Sequence, residues 1–183
     1  NVLRQISAVG KLPTAIELVE SILDAGEKVL VFCSFVAPLE RLKAHFRGKA
    51  VILTGKTPID ERRGIVEAFQ NDPGVQVFCG GIRSAGVGIT LTKASNVIFL
   101  YRSWTPADME QALNRAHRPG AVYESLNIYQ LHSLNTIDGD MEEMLGHKQK
   151  IFDQIIDGEA IEKIANKTME AAITGVMKRN LSV

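Results

Sequence analysis

Apolar residues fall along this chain in two alternating patterns. The first is a set of short, continuously apolar, β-branched or aromatic runs: Lys28–Cys33, Ala50–Leu53, Val75–Cys79, Val97–Tyr101 and Leu126–Leu131. Because most are apolar at every position rather than at every second one, they predict strands buried on both faces. The second pattern has helical spacing. Ile16, Val19, Ile22 and Leu23 mark one stripe, Leu39, Leu42 and Phe46 a second, and Ile59, Val66 and Phe69 a third. Pro13, Pro38, Pro58 and Pro106 stand where first-turn prolines are expected, with Thr57 and Thr105 preceding two of them as N-caps. The alternation predicts an α/β fold: an open parallel sheet with right-handed crossovers and helices on both faces. From about Ile137 the pattern changes to two long amphipathic helices, separated at Gly158. The predicted division is a lobe over 1–136 and a helical extension over 137–183 packed on it.

Parallel sheets of this kind bind ligands outside the carboxyl ends of their strands. The residues that follow the predicted strands are Ser34-Phe35, Thr54-Gly55-Lys56-Thr57, Gly80 through Gly88, and Arg102-Ser103-Trp104. Small, hydroxyl and basic residues therefore gather on one edge. Beyond them, Gln111, Arg115 and Arg118 are spaced i, i+4 and i+7, which on a helix places them within about 60° around the axis. Met109, Leu113 and Ala116 fall on the opposite side. Two guanidinium groups on one stripe suit a polyphosphate, since each can grip phosphate oxygens at two points and neither deprotonates.

Ala50 through Thr57 is one residue short of the phosphate-loop pattern GxxxxGK[ST], with Ala50 at the first glycine position. A phosphate loop needs a flexible wrap of backbone amides, whereas Val51-Ile52-Leu53 is a strand. Gly55-Lys56-Thr57 is instead expected to form a tight turn before a helix, suited to a single backbone phosphate. No acidic pair for magnesium follows a strand. The chain thus has groups for the far side of a triphosphate and lacks those that hold its near side.

Composition narrows the class without naming it. The 183 residues are 45% hydrophobic and 23% charged, with 21 basic and 21 acidic groups. Residues 1–135 carry 15 basic against 12 acidic groups, and 136–183 carry 6 against 9, so nucleic-acid contact is expected in a local groove. No run is long enough for a membrane span and no charged-then-apolar leader opens the chain, which begins Asn1-Val2-Leu3; an intracellular protein without membrane contact is expected. Cys33 and Cys79 are read as buried reduced thiols, and the four scattered histidines give no metal site.

Taken in order, Val29–Cys33, Thr54-Gly55-Lys56-Thr57-Pro58 with Glu61-Arg62, Ser84 through Leu91, Trp104-Thr105-Pro106 and Gln111 through Gly120 resemble the second ATPase lobe of the Swi/Snf-type motors of helicase superfamily two. The resemblance spans roughly residues 11 to 145. It implies a RecA-like lobe of an ATP-driven translocase on double-stranded DNA, inactive without its first lobe. ATP and Mg2+ are then held mainly by that first lobe, and no cofactor is expected on this one. Carried across, Arg118 is the arginine finger, Arg115 assists at the phosphates, and Gln111 belongs to the same element. Gly86 and Gly88 are nucleotide-side positions of close backbone approach. Ser34, Gly55, Lys56, Thr57, Arg83, Ser84 and Trp104 are the candidates for the DNA backbone. The place of work implied is the nucleoid in a prokaryote or virus and the nucleus in a eukaryote. Ser84-Ala85-Gly86 and Trp104-Thr105-Pro106 resemble the annealing-helicase branch more than the nucleosome remodellers. Two other readings stay open: a non-catalytic docking module on the same fold, and an RNA helicase lobe, against which the Q-x-x-x-R-x-H-R spacing argues.

Overall fold

The computed structural model describes residues 2–82, 84, 89–101, 106–116, 123 and 125–133. Its helices are α1 (Val2–Gly10), α2 (Leu12–Asp24), α3 (Val36–His45), α4 (Ile59–Asn71) and α5 (Pro106–Ala116). Its strands are β1 (Val29–Cys33), β2 (Ala50–Leu53), β3 (Val77–Gly81), β4 (Asn96–Phe99) and β5 (Asn127–Gln130). All pairings are parallel, in the order β2-β3-β1-β4-β5. By its contacts the chain divides into Asn1–His132 and Ser133–Val183. The helices expected over 137–183 lie outside the described residues.

The five apolar runs form the five strands, but only β1, β3 and β4, inside the sheet, are buried along their length; the edge strand β2 is half-buried and the edge strand β5 largely exposed, which corrects the expectation of burial on both faces for Leu126–Leu131. In β1 all five residues are fully buried, so both faces are covered. One face presents Leu30, Phe32, Phe78, Val97 and Phe99 to Phe69 of α4 and Ala112 of α5. The opposite-parity residues Val29, Val31, Cys33, Cys79 and Ile98 are buried as completely, with α2 and α3 lying along β1. Leu12, Ala15, Val19 and Ile22 form the buried stripe of α2, and Gly26, at φ +77°, turns the chain out of that helix.

Boundaries moved where polar bonding outweighed apolar pattern. β4 begins at Asn96, a nearly inaccessible amide that donates to Glu27 Oε2 and accepts from Asn127 Nδ2 at 3.1 Å. A buried amide so satisfied fits a strand despite its polarity. β3 starts at Val77 rather than Val75 and extends through Gly80 and Gly81. A Cβ at Gly80 would stand 2.7 Å from the Phe32 ring and 3.0 Å from that of Phe78, so the bare glycine lets both rings close over the strand. α1 is an element the sequence reading passes over, although Val2, Leu3, Ile6 and Val9 are helically spaced; its Ala8 is fully buried, its Ile6 is 62% exposed, and Arg4 Nε donates to the Tyr101 hydroxyl at 3.1 Å. Pro58 is itself the N-cap of α4, which corrects the expectation that Thr57 caps it.

Burial raises both thiols above their ordinary value of 9.0, Cys33 to about 11 and Cys79 to about 12. For Cys33 the nearby backbone N–H of Phe35 and the charge of Lys11 oppose the shift without cancelling it. The folded state therefore holds these protons more tightly than the unfolded chain does. That contribution to stability is complete below pH 9 and is lost as the pH rises through 9 toward 11 and 12. Native protein at pH 8 is expected to resist iodoacetamide at both cysteines and to take up two equivalents on unfolding; rapid native labelling would contradict the burial.

Candidate functional site

Because every strand is parallel, all five carboxyl ends open on one edge of the sheet. Ser34 leaves β1 and is exposed there. At the exit of β2, the Thr54 backbone N–H donates to Thr57 Oγ1 at 2.9 Å, the Thr57 N–H returns a bond to the Thr54 carbonyl at 3.1 Å, and the Lys56 N–H donates to Thr54 Oγ1 at 3.3 Å. These bonds lock Thr54–Thr57 into the tight turn the sequence predicts. Gly55 and Lys56 stand exposed on it. Arg62, one turn into α4, donates from Nε to the Thr57 carbonyl at 3.1 Å and fixes the turn to its helix.

Next to it, at the exit of β3, Ser84 Oγ donates to the Gly81 carbonyl at 3.1 Å. A Cβ at Gly81 would lie 2.5 Å from that Oγ and in ordinary contact, at 3.8 Å, with Thr54 Cα, so the bare glycine makes room for the Ser84 hydroxyl. Ser34, Gly55, Lys56, Thr57 and Ser84 thus lie at the exits of three adjacent strands, as predicted. The sequence places Gly81 only within the Gly80–Gly88 stretch after the strand; the structure makes it the last residue of β3.

α5 carries the arginine element. Ala112 is fully buried and Leu113 packs on the core, while Gln111 is exposed and Arg115 half-buried, with its Nε inaccessible to solvent. Of the predicted packing face Leu113 packs on the core, but the fully buried residue is Ala112, outside that stripe, and Arg115 of the predicted polar face is itself half-buried. The backbone joins it to the glycine loop: the Leu91 N–H donates to the Arg115 carbonyl at 2.9 Å. Arg83, Gly86, Gly88, Trp104 and Arg118 lie outside the described residues. The Arg115 guanidinium is a donor only, and the Gln111 amide offers an NH2 donor beside its carbonyl acceptor, so the N–H groups of both fit phosphate oxygens. Among the described residues no three His, Cys, Asp or Glu side chains converge, and no helix is long and apolar enough to cross a membrane.

The profile of the helicase conserved C-terminal domain matches residues 11–120. The chain belongs to the helicase conserved C-terminal domain family. Within it, this helicase lobe is the second, RecA-like lobe of a Swi/Snf-type motor of superfamily two. It is 32% identical over 165 residues to the chromatin-remodeling ATPase INO80 of Cryptococcus neoformans var. neoformans serotype D (strain B-3501A), covering 88% of this chain and 9% of that protein. Its fold matches the C-terminal part of the Fun30 ATPase domain with a TM-score of 0.67 at 31% identity, over 73% of this chain and 44% of that one. It matches the Sulfolobus solfataricus SWI2/SNF2 ATPase core in complex with dsDNA with a TM-score of 0.66 at 28% identity, over 84% and 36%. The INO80 relative is a chromatin remodeller, unlike the branch that the Ser84-Ala85-Gly86 and Trp104-Thr105-Pro106 variants resemble. The helicase lobe spans less than half the length of each of these proteins.

Proposed function

We propose that this helicase lobe is the half of a double-stranded DNA translocase that completes the ATPase site and grips the DNA backbone. The observation that carries the reading is the bond from the Leu91 N–H to the Arg115 carbonyl, which ties the end of the glycine loop to the arginine helix. Nucleotide chemistry on one side and the DNA edge on the other are thereby linked through one short stretch of backbone. The fold's likeness to an ATPase core in complex with dsDNA supports the same assignment.

In this reading ATP and Mg2+ are held by a first lobe, and closure brings Arg118 to the phosphoryl group in transfer. Arg118 stabilises the charge that develops on it, Arg115 and Gln111 hold neighbouring oxygens, and Gly86 and Gly88 permit close backbone approach. Ser34, the Gly55-Lys56-Thr57 turn, Arg83, Ser84 and Trp104 bear on the DNA backbone, which positions the motor without reading sequence. Residues 1–136 work as the lobe, with 137–183 as a bracing extension. Its place is with its DNA, in the nucleus of a eukaryote or the nucleoid of a prokaryote.

The test joins the chain to a first lobe of the family. DNA-stimulated ATP hydrolysis should appear in the joined protein and be absent from this chain alone; hydrolysis by this chain alone would refute the split site. Stimulation by RNA duplex in place of DNA would support an RNA helicase lobe, and intact hydrolysis without Arg118 would support a docking module.

Lys56 gives a separate check, since it stands exposed on the locked turn. Lys56→Ala should weaken duplex binding about equally on all sequences and reduce the slope of log affinity against log salt by about 1. A titration series at several salt concentrations that left the slope unchanged would remove Lys56 from the backbone contacts.

A further inference from the structure

Gln70 stands one residue from the end of α4, half-buried beside the fully buried Phe69. Its side chain meets the segment that follows the glycine loop in two places. Gln70 Nε2 donates to Thr92 Oγ1 at 3.2 Å, and the Lys93 backbone N–H donates to Gln70 Oε1 at 3.2 Å. One residue earlier, the Leu91 N–H is engaged by the Arg115 carbonyl. The stretch Leu91–Lys93 is therefore held from two sides, by α4 through an amide side chain and by α5 through a main-chain carbonyl. Thr92 is nearly inaccessible, so its hydroxyl has little access to water as a replacement partner.

The other end of α4 is fixed to the Thr54–Thr57 turn by Arg62. An unbroken path of bonds thus runs from the turn at the exit of β2, through Arg62 and the α4 backbone, to Gln70, the Leu91–Lys93 stretch and the last turn of α5. A 13-residue helix is a stiff element of roughly 20 Å, so its two ends move together.

We propose that Gln70 is a positioning residue, which clamps the exit of the glycine loop to α4 and so sets the placement of the arginine helix relative to the β2-exit turn. The inference rests on the ATPase reading above. Gln70 touches no reacting atom; it acts through Leu91–Lys93 on α5. Loss of the clamp leaves the arginine donors chemically intact and displaces them, which lowers turnover rather than nucleotide affinity.

The test uses a chain carrying both lobes. Gln70→Leu keeps the bulk and removes both polar contacts. Thr92→Val removes one contact from the other side with little change of shape. Gln70→Leu is expected to lower the kcat of DNA-stimulated hydrolysis by about tenfold, with KM for ATP changing by less than about twofold. Gln70→Glu should largely rescue it, because its carboxylate still accepts from Lys93 N–H and the Thr92 hydroxyl can turn to donate. The pair Gln70→Leu with Thr92→Val should lose no more than the worse single variant, since both cut the same clamp. Hydrogen exchange at the Lys93 amide should quicken in Gln70→Leu and not in Gln70→Glu.

Unchanged kcat in Gln70→Leu, or independent, multiplying losses in the double variant, would overturn the proposal; if Gln70→Leu fails to fold, an unchanged kcat in Thr92→Val does so instead. Arg118→Ala in the same preparation separates this from the wider reading. Collapse with Arg118→Ala but not with Gln70→Leu removes the clamp alone, whereas activity indifferent to Arg118 removes the split site and the clamp with it.

Discussion

Arg118→Ala, made in a chain that carries both lobes, is expected to lower the kcat of DNA-stimulated ATP hydrolysis by about a thousandfold while KM for ATP stays nearly constant. The direction follows from the chemistry of a guanidinium beside a phosphoryl group in transfer. Its charge is fixed, its planar fork presents two donors at once, and these interactions strengthen only as charge builds on the transferring oxygens. An interaction realised only in the transition state appears in kcat and not in KM. Arg118→Lys should recover little, because an ammonium is a point charge without the fork. Arg115→Ala should also lower turnover, but with a second consequence: Arg115 is half-buried with an inaccessible Nε, so truncation should lower the melting temperature as well. Gln111 is exposed and its truncation should leave the melting temperature unmoved. Steady-state kinetics on the three variants, with thermal melts alongside, check the set. Retained turnover in Arg118→Ala would contradict the finger assignment.

Phe32→Ala is expected to destabilise the lobe by about 4 kcal/mol, within the usual range for deleting a buried aromatic ring. Phe32 is fully buried near the carboxyl end of β1, the central strand of the sheet, its ring 5.7 Å from that of Phe99. The same ring fills the space that Gly80 leaves on the neighbouring strand. Gly80→Ala therefore adds a single methyl group where no room exists and should cost about 2 kcal/mol by overpacking, although it removes nothing. Because the two substitutions act on one space, they should not add: Gly80→Ala in the Phe32→Ala background should be nearly neutral or stabilising. Urea titrations of the two single variants and the double variant measure this, and additive losses would show that the ring and the glycine do not share that space.

Much of the fold was legible in the chain because burial on both faces leaves a local mark. Lys28–Cys33 and Val97–Tyr101 are apolar at nearly every position, and a chain with such runs between amphipathic stretches has few arrangements other than a parallel sheet. Parallel strands then fix the edge where Ser34, Lys56 and Ser84 emerge, so their grouping followed from topology. The strand ends were less legible. Asn96 reads as polar and therefore as outside a strand until Glu27 and Asn127 are found beside it. Gly80 and Gly81 read as loop until Phe32 and Ser84 are seen to occupy the space of the missing side chains. Glu27 and Asn127 for Asn96, and Phe32 for Gly80, lie far away in sequence.

The same division holds at the site. The residue types and their order along the chain determined by themselves that this is a helicase C-terminal lobe: the arginine spacing, the glycine loop and the turn after β2 are local patterns, each set by the geometry of one element. Only the tertiary structure decided how those elements are joined. Nothing near Gln70 marks it as more than a polar residue close to a helix end, and nothing near Leu91 shows that its N–H meets Arg115. Hydrogen bonds between elements depend on where two separate backbones come to lie, and that placement is set by packing over the whole core.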